Sequence, residues 1–157
     1  MPKCDMLLNN LCESFSKYIL EAMDKPILIM METIRTKLMQ RIAMKSLAAE
    51  KYVGSLCPKI QKKLEPIMIE VTKCWPKHAS GLKYQVACGP TNQHVVYLNL
   101  RTCSCKKWEL SGIPCMHVVS VVFITGERLE DYVDECYIKS TQMKIYSNFI
   151  SLISGAN

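Results

Sequence analysis

Three cysteines and one histidine lie within a short stretch of the chain, as Cys103-Ser-Cys105 followed by Cys115-Met-His117. Thiolate sulfur and imidazole nitrogen are ligands that Zn²⁺ binds in proteins, and four of them complete a tetrahedral site. A catalytic zinc keeps one position open for water, whereas four protein ligands leave none open. The spacing therefore predicts one structural Zn²⁺, with the metal ligands Cys103, Cys105, Cys115 and His117.

The two ligand pairs imply different local structures. Side chains two residues apart share a face on a strand but diverge by about 200° on a helix, so Cys103 and Cys105 are expected on a strand. Residues 93–101, which are rich in β-branched and aromatic side chains, lead into that strand. Pro114 keeps the residue before it extended, so Cys115 is expected just ahead of a helix with His117 in its first turn. The β-branched run that follows, residues 118–124, would also allow a strand.

Charge near the predicted site is also informative. Three thiolates, one neutral imidazole and one Zn²⁺ sum to a net charge of −1 by formal counting. Arg101, Lys106 and Lys107 lie close enough in sequence to offset that charge. A helix that begins beside Cys115 would favour its thiolate in the same way, because the helix N-terminus carries a partial positive charge.

The composition indicates a folded chain with reduced cysteines. The chain has 157 residues, of which 49% are apolar, so general disorder is excluded. Its nine cysteines are an odd number, three of them are assigned to zinc, and the N-terminus shows no signal peptide. A reducing, intracellular compartment is therefore expected, with the nucleus or the cytoplasm as the location.

The sequence also restricts the class of partner. The longest apolar stretches, residues 27–31 and 118–124, are well short of the roughly eighteen residues that a membrane span needs. No membrane partner and no small-molecule substrate are expected. The net charge of +6 is compatible with a polyanionic partner, although charge alone does not identify one.

The periodicities predict an α+β chain. Residues 7–46 carry apolar side chains at spacings of three and four, as amphipathic helices do, and residues 59–71 are consistent with a short basic helix. Residues 83–88 and 94–100 alternate on either side of Gly89-Pro-Thr-Asn92, which predicts a hairpin. Together with the next helix, the hairpin would form a ββα zinc-binding module, and a short C-terminal helix would follow. The predicted boundaries are 1–53 for the helical segment, 54–82 for a linker or helical connection, 83–125 for the zinc module and 126–157 for the helical tail.

Lys37, Arg41 and Lys45 form a basic stripe at four-residue spacing, with Arg35 beside it. Such a stripe is consistent with a solvated helix face or with contacts to phosphate groups. Neither interpretation follows from the spacing alone.

Two further Cys/His pairs, Cys88 with His94 and Cys74 with His78, suggest a second metal site at first sight. Each pair lacks two additional ligands at metal spacing. We therefore predict a single metal site.

The complete motif, Cys103-Ser-Cys-Lys-Lys-Trp108-Glu-Leu-Ser-Gly112-Ile-Pro-Cys115-Met-His117, resembles the SWIM-type zinc finger, whose pattern is CxC, a variable spacer and CxH. With Trp108 and the Gly112-Ile-Pro114 run, it is similar to the form found in plant Mutator-like transposases and their domesticated relatives. Residues 3–15 are similar to the end of the RNase H-like catalytic domain of those transposases. The resemblance implies the C-terminal part of a MuDR-type transposase, with DNA or another protein as the partner.

The resemblance also assigns a role to Glu13. This residue matches the last acidic member of the aspartate, aspartate, glutamate triad that holds two metal ions in these transposases. The strands that bear the two aspartates would precede residue 1, and Ser16 stands where the family usually has Asn. We therefore expect a zinc-dependent binding module without enzymatic activity; residual strand cleavage and joining is the alternative.

Overall fold

The computed structural model describes residues 16, 17, 19, 20, 22–148, 150 and 151. Gly54–Lys139 form one compact unit, here called the central unit. The described residues before Gly54 and after Lys139 belong to a second unit, the terminal unit. Glu13 and residues 3–15, to which the transposase resemblance assigns a catalytic origin, lie outside the described residues.

The terminal unit contains helix α1, Ile27–Lys51, which confirms that this part of the chain is helical. None of the 25 described residues of α1 is buried, and several of its apolar side chains are exposed. Beside the predicted basic stripe, Arg35 forms an ion pair with Glu32, with Nε donating to Oε2 at 2.8 Å. The Arg35 Nη1 also donates to the Ser151 carbonyl at 2.9 Å, so both contacts of Arg35 lie within the terminal unit.

The central unit begins with helix α2, Pro58–Glu70, which confirms the basic helix predicted for this region. Pro58 occupies the first helical position, where its fixed φ angle is already helical and its missing N–H would have no intrahelical partner. Pro66 lies inside the helix, where it removes one intrahelical hydrogen bond. Ile60 and Leu64, one turn apart, are buried in a small core with Leu56, Cys57, Ile113 and Val133.

Four antiparallel strands follow in the order β1-β2-β3-β4. Their bounds are Trp75–Ser80, Lys83–Ala87, Gln93–Tyr97 and Thr102–Cys103. The predicted hairpin is confirmed, since β2 pairs with β3 from Lys83↔Tyr97 to Ala87↔Gln93. β3 ends at Tyr97, and a turn at residues 98–101 leads into β4. The sequence predicts that residues 93–101 lead directly into the ligand strand, but they do not form one continuous strand.

Helix α3, Lys107–Ser111, and helix α4, Met116–Thr125, complete the part of the central unit that holds the predicted ligands. α4 confirms the helix predicted after Cys115 and excludes the strand that its β-branched residues would also allow. Its buried Val118, Val121 and Val122 pack against the inner face of the sheet, at Tyr84, Val86 and Val96. The main core therefore lies between α4 and the sheet.

Gly126, with φ of +72°, ends α4, and two 3₁₀ turns follow at Leu129–Tyr132 and Glu135–Tyr137. A bridge between Leu56 and Ile138 then joins the start of the central unit to its end. Helix α5, Lys139–Tyr146, is the predicted short C-terminal helix. Within the described part of the chain, no helix is both long enough and apolar enough to cross a membrane.

A disulfide joins Cys74, just before β1, to Cys88, just after β2. Both residues lie on the inner side of the sheet, where Cys74 belongs to the main core and Cys88 packs against it. This disulfide contradicts the prediction of reduced cysteines at Cys74 and Cys88, whose positions the pairing of β1 with β2 brings together. The sequence does not predict the pair, because the two cysteines show no recognisable spacing. The pairing also excludes Cys74 and Cys88 as metal ligands, which agrees with the prediction of a single site.

Removal of this disulfide is expected to destabilise the central unit. A cross-link that closes a loop of this length contributes about 3 kcal/mol to the free energy of unfolding, chiefly by restricting the unfolded chain. We expect the double variant Cys74→Ala/Cys88→Ala to lose that amount in urea denaturation of the zinc-loaded protein. Cys136→Ala, which alters an exposed cysteine outside any disulfide, is the control. Equal stability of the double variant and the parent under oxidising conditions would contradict the prediction.

Candidate metal centre

The four predicted ligands come together at one point of the central unit. Their ligand atoms all lie within 4.8 Å of one another. The Nδ1 atom of His117 is 3.6 Å from the Cys103 sulfur and 3.7 Å from the Cys115 sulfur. The sulfurs of Cys105 and Cys115 are 3.5 Å apart. Residues separated by up to fourteen positions in sequence thus converge on a volume the size of one metal ion.

These distances fit the edges of a zinc tetrahedron. With Zn–S near 2.3 Å and Zn–N near 2.0 Å, tetrahedral angles place two sulfurs about 3.8 Å apart and a sulfur and a nitrogen about 3.5 Å apart. The separations within the cluster lie close to both values. Three thiolates and an imidazole are also the donor set of many structural zinc sites. Cys103, Cys105, Cys115 and His117 would hold the ion, and Nδ1 would be the ligand atom of His117.

The first ligand pair is placed by the end of β4 and the tight turn after it. Cys103 is the last residue of β4, and the Lys106 N–H donates to its carbonyl at 2.8 Å. Lys106 has a φ of +63°, which closes this turn. Cys105 lies within the turn, so the prediction that both cysteines occupy a strand is wrong for Cys105. The reversal of the chain, rather than strand alternation, brings its sulfur to the cluster.

The second ligand pair is placed by the start of α4, as predicted. Cys115 is the residue before the helix and has an extended backbone, and its carbonyl accepts the Val119 N–H at 3.0 Å. His117 lies in the first turn. Cys103, Cys115 and His117 are buried, and Cys105 is half-buried. The site is therefore largely shielded from water.

The surroundings of Cys105 and Cys115 favour their protonated thiols in the absence of a cation. A hydrogen bond with Cys103 and then burial raise the pKa of the Cys115 thiol to about 12. Burial is the main cause that raises the pKa of the Cys105 thiol. A divalent cation stabilises the thiolate form, so metal binding at this cluster releases protons.

Two of the three basic residues predicted to balance the cluster have other partners. The Arg101 guanidinium donates to the Asp131 carbonyl at 2.7 Å. The Lys106 ammonium pairs with Glu109 at 3.2 Å, and the same carboxylate accepts the Cys103 N–H at 3.2 Å. Burial alone would raise the pKa of Glu109, but the backbone hydrogen bonds and Lys106 together lower it. Glu109 thus fixes the ligand loop as an ionised carboxylate.

His94 is a neighbour of the cluster that the sequence does not assign to it. Its ring stacks on that of His117, with centroids 3.9 Å apart. Two hydrogen bonds hold the ring in place: Nε2 donates to Asn92 Oδ1 at 2.8 Å, and in that tautomer Nδ1 accepts from the Ser104 hydroxyl at 3.0 Å. Burial, and then the nearby His117 and Lys107, lower the pKa of His94. One sequence signal could have placed His94 near the cluster: it lies two residues before the buried Val96 in the hairpin, so the two side chains share the inner face.

The spacer between the two ligand pairs has a structural role. Trp108 is 1% exposed, and its Nε1 donates to the Tyr132 carbonyl at 3.0 Å. Gly112, with φ of +72°, ends α3 and donates to the Trp108 carbonyl at 2.8 Å. The Gly112 carbonyl in turn accepts the Asp134 N–H at 2.9 Å. The motif residues between the ligands therefore anchor the cluster to the segment after α4.

A Cys₃His cluster built from a strand end, a turn and a helix start, with every position supplied by the protein, defines a zinc finger. Residues 94–125 match the SWIM zinc finger family, and this stretch contains all four predicted ligands. The chain therefore contains a SWIM zinc finger, and the match and the cluster together support zinc binding. No curated protein and no solved structure matches the chain.

Proposed function

We propose that one structural Zn²⁺ folds the central unit into a DNA-binding module. Zinc would hold the turn after β4 against the start of α4. The filled donor set supports this role, because no position is left for a reactive water. A Cys115 nucleophile with His117 as its base is disfavoured for the same reason, since both side chains would be bound to the metal.

The distribution of charge in the central unit is the observation that carries the proposal of DNA as partner. Residues 59–107 contain nine lysines and arginines but only two glutamates. The remaining residues, 108–139, contain six acidic and two basic side chains. Most of the basic residues of the first segment are exposed, among them Lys59, Lys62, Lys73, Lys77, Lys106 and Lys107. Clustered exposed cations are the electrostatic footprint of a nucleic-acid-binding protein.

The origin of the chain from a Mutator-like transposase is part of the same proposal. The CxC and CxH pairs with Trp108 and Gly112-Ile-Pro114 between them support it, and nuclear localisation would follow from DNA binding. Glu13, the residue that matches the transposase triad, lies outside the described residues. We infer a binding protein without enzymatic activity, because the four protein ligands of the cluster leave no position for a reactive water.

DNA binding of this kind is expected to weaken steeply with salt. Each phosphate that a lysine neutralises releases counterions and adds about 0.9 to the slope of log affinity against log salt concentration. We expect Lys106→Ala/Lys107→Ala to reduce this slope by about 1.8 for duplex DNA. The measurement is fluorescence anisotropy with the zinc-loaded full chain over a series of salt concentrations.

A matched control removes two charges elsewhere. Lys25→Ala/Lys144→Ala changes two exposed lysines outside residues 59–107 and is expected to leave the slope unchanged. Equal slopes for the two double variants would show that the lysines beside the finger do not contact phosphate. Absence of DNA binding at low salt would overturn the proposal and favour a protein partner, for which the exposed apolar side chains of α1 are a candidate surface.

A further inference from the structure

The sheet of the central unit has an inner face that is buried and an outer face that is open in the described structure. α4 packs across β1, β2 and β3 and buries Tyr84, Val86 and Val96. Side chains at the alternate positions point the opposite way. The outer face carries two apolar residues, Ala87 and Val95, and six aromatic or polar ones, all exposed or half-exposed: Trp75, Lys77, Lys83, Gln85, Gln93 and Tyr97.

Two aromatic residues lie at opposite corners of the outer face. Trp75 is level with Gln93 across the sheet, and Tyr97 is paired with Lys83. With about 3.4 Å per residue and about 4.8 Å between strands, the two aromatic positions are roughly 17 Å apart. Trp75 is 63% exposed, although burial of its large apolar surface would stabilise the fold. These rings are thus available to a ligand.

Cations and amides lie between the two aromatic residues. The Lys83 ammonium is 5.1 Å from the centre of the Tyr97 ring. Lys77 is paired with Gln85 in the middle of the face, and the Gln85 amide donates to Gln93 at 2.6 Å. Strands β1, β2 and β3 contain no aspartate or glutamate. The face therefore offers stacking surfaces, phosphate-binding cations and amide groups, without a carboxylate that would repel phosphate.

We propose that this outer face binds single-stranded nucleic acid, with bases stacked on Trp75 and Tyr97 and phosphates at Lys77 and Lys83. Aromatic rings on a basic sheet surface are how single strands are held, because every base has a flat face that can stack. In a duplex the bases stack on each other and cannot reach these rings. The inference rests on the proposed nucleic-acid-binding function. It adds that the nucleic acid is single-stranded and that the outer face of the sheet binds it.

The test compares binding of fluorescein-labelled single-stranded DNA, single-stranded RNA and duplex DNA, each about twelve nucleotides long, to the zinc-loaded full chain. Loss of one stacked base is expected to lower single-strand affinity about 5- to 100-fold in Trp75→Ala and in Tyr97→Ala. Trp75→Phe is expected to retain most of the affinity. Phe123→Ala is the matched control, since Phe123 is a 48% exposed aromatic residue on α4. The two single-stranded probes show whether DNA or RNA is preferred.

The possible results separate this inference from the proposed function. If Trp75→Ala and Tyr97→Ala bind single strands as tightly as the parent while duplex binding persists, the sheet face is not the site and the proposed function stands. If the parent binds no probe at low salt, both fail. A parallel loss of single-strand affinity in Phe123→Ala would also overturn the assignment to this face. Zinc content and circular dichroism show whether each variant is folded. If Tyr97→Ala does not fold, Trp75→Ala alone tests the proposal.

Discussion

Chelation of zinc with EDTA is expected to unfold the central unit, and this is the largest effect that the structure predicts. Structural zinc binds finger peptides with about 10 to 16 kcal/mol, whereas the net stability of a whole domain is about 5 to 15 kcal/mol. The four ligands come from β4, a turn and α4, so the metal joins segments on both sides of the main core. Circular dichroism and limited proteolysis before and after chelation measure the loss.

Substitution of a ligand is expected to have the same consequence. Cys105→Ser and Cys115→Ser each remove one thiolate, so zinc content should fall and the central unit should become sensitive to protease. Cys136→Ser is the matched control, because Cys136 is exposed and outside the cluster. Full zinc content with unchanged circular dichroism in both ligand variants would exclude this site as the zinc centre.

Truncation of Trp108 is expected to be the most destabilising change outside the ligands. Removal of a buried tryptophan side chain costs about 3 to 5 kcal/mol through lost apolar contacts and the cavity that remains. Trp108→Ala also leaves the Tyr132 carbonyl without its 3.0 Å hydrogen bond from Nε1. We expect the urea concentration at the midpoint of unfolding of the zinc-loaded protein to fall, while the same four residues still bind the metal.

The chain supplies its own control for this substitution. Trp75 is the other of its two tryptophans and is 63% exposed, so Trp75→Ala is expected to change the free energy of unfolding little. The single-tryptophan variants also separate the fluorescence of a buried ring from that of an exposed one. Similar losses of stability in the two variants would mean that Trp108 is not the core anchor described here.

The zinc cluster was predictable because its signals are local. Ligand chemistry and spacing identify Cys103, Cys105, Cys115 and His117 without knowledge of the rest of the chain. Pro114 and the apolar run after Cys115 likewise predict the start of α4. The hairpin of β2 and β3 follows from alternation on either side of a Gly-Pro turn. Each of these features depends on residues within fourteen positions of one another.

The turn at Cys105 shows where local reasoning fails. Alternation predicts that both residues of a CxC pair lie on a strand, and this holds for Cys103 alone. Lys106 adopts a positive φ that lysine rarely takes, and its N–H closes the turn on the Cys103 carbonyl. The pairing of Lys106 with Glu109, three residues later, supports a conformation that the residue types do not favour.

Long-range features could not be predicted from the sequence for a different reason. β1, Trp75–Ser80, shows no apolar alternation because it is an edge strand in which five of the six residues are exposed. The Cys74–Cys88 disulfide exists because β1 pairs with β2, so it could not be inferred before that strand was known. The stacking of His94 on His117 likewise depends on how the hairpin and α4 pack.

Residues 94–125, which match the SWIM family, depend on hydrogen bonds between the spacer and residues outside that stretch. Trp108, Gly112 and Ser111 bond to Tyr132, Asp134 and Tyr137, all of which lie beyond residue 125. On the other side, the sheet core under the cluster includes Tyr84 and Val86, which precede residue 94. Recombination or gene design that moved residues 94–125 alone would carry the ligands but leave behind the strands and turns that hold them in place. The folding unit of this finger is therefore the whole central unit, Gly54–Lys139.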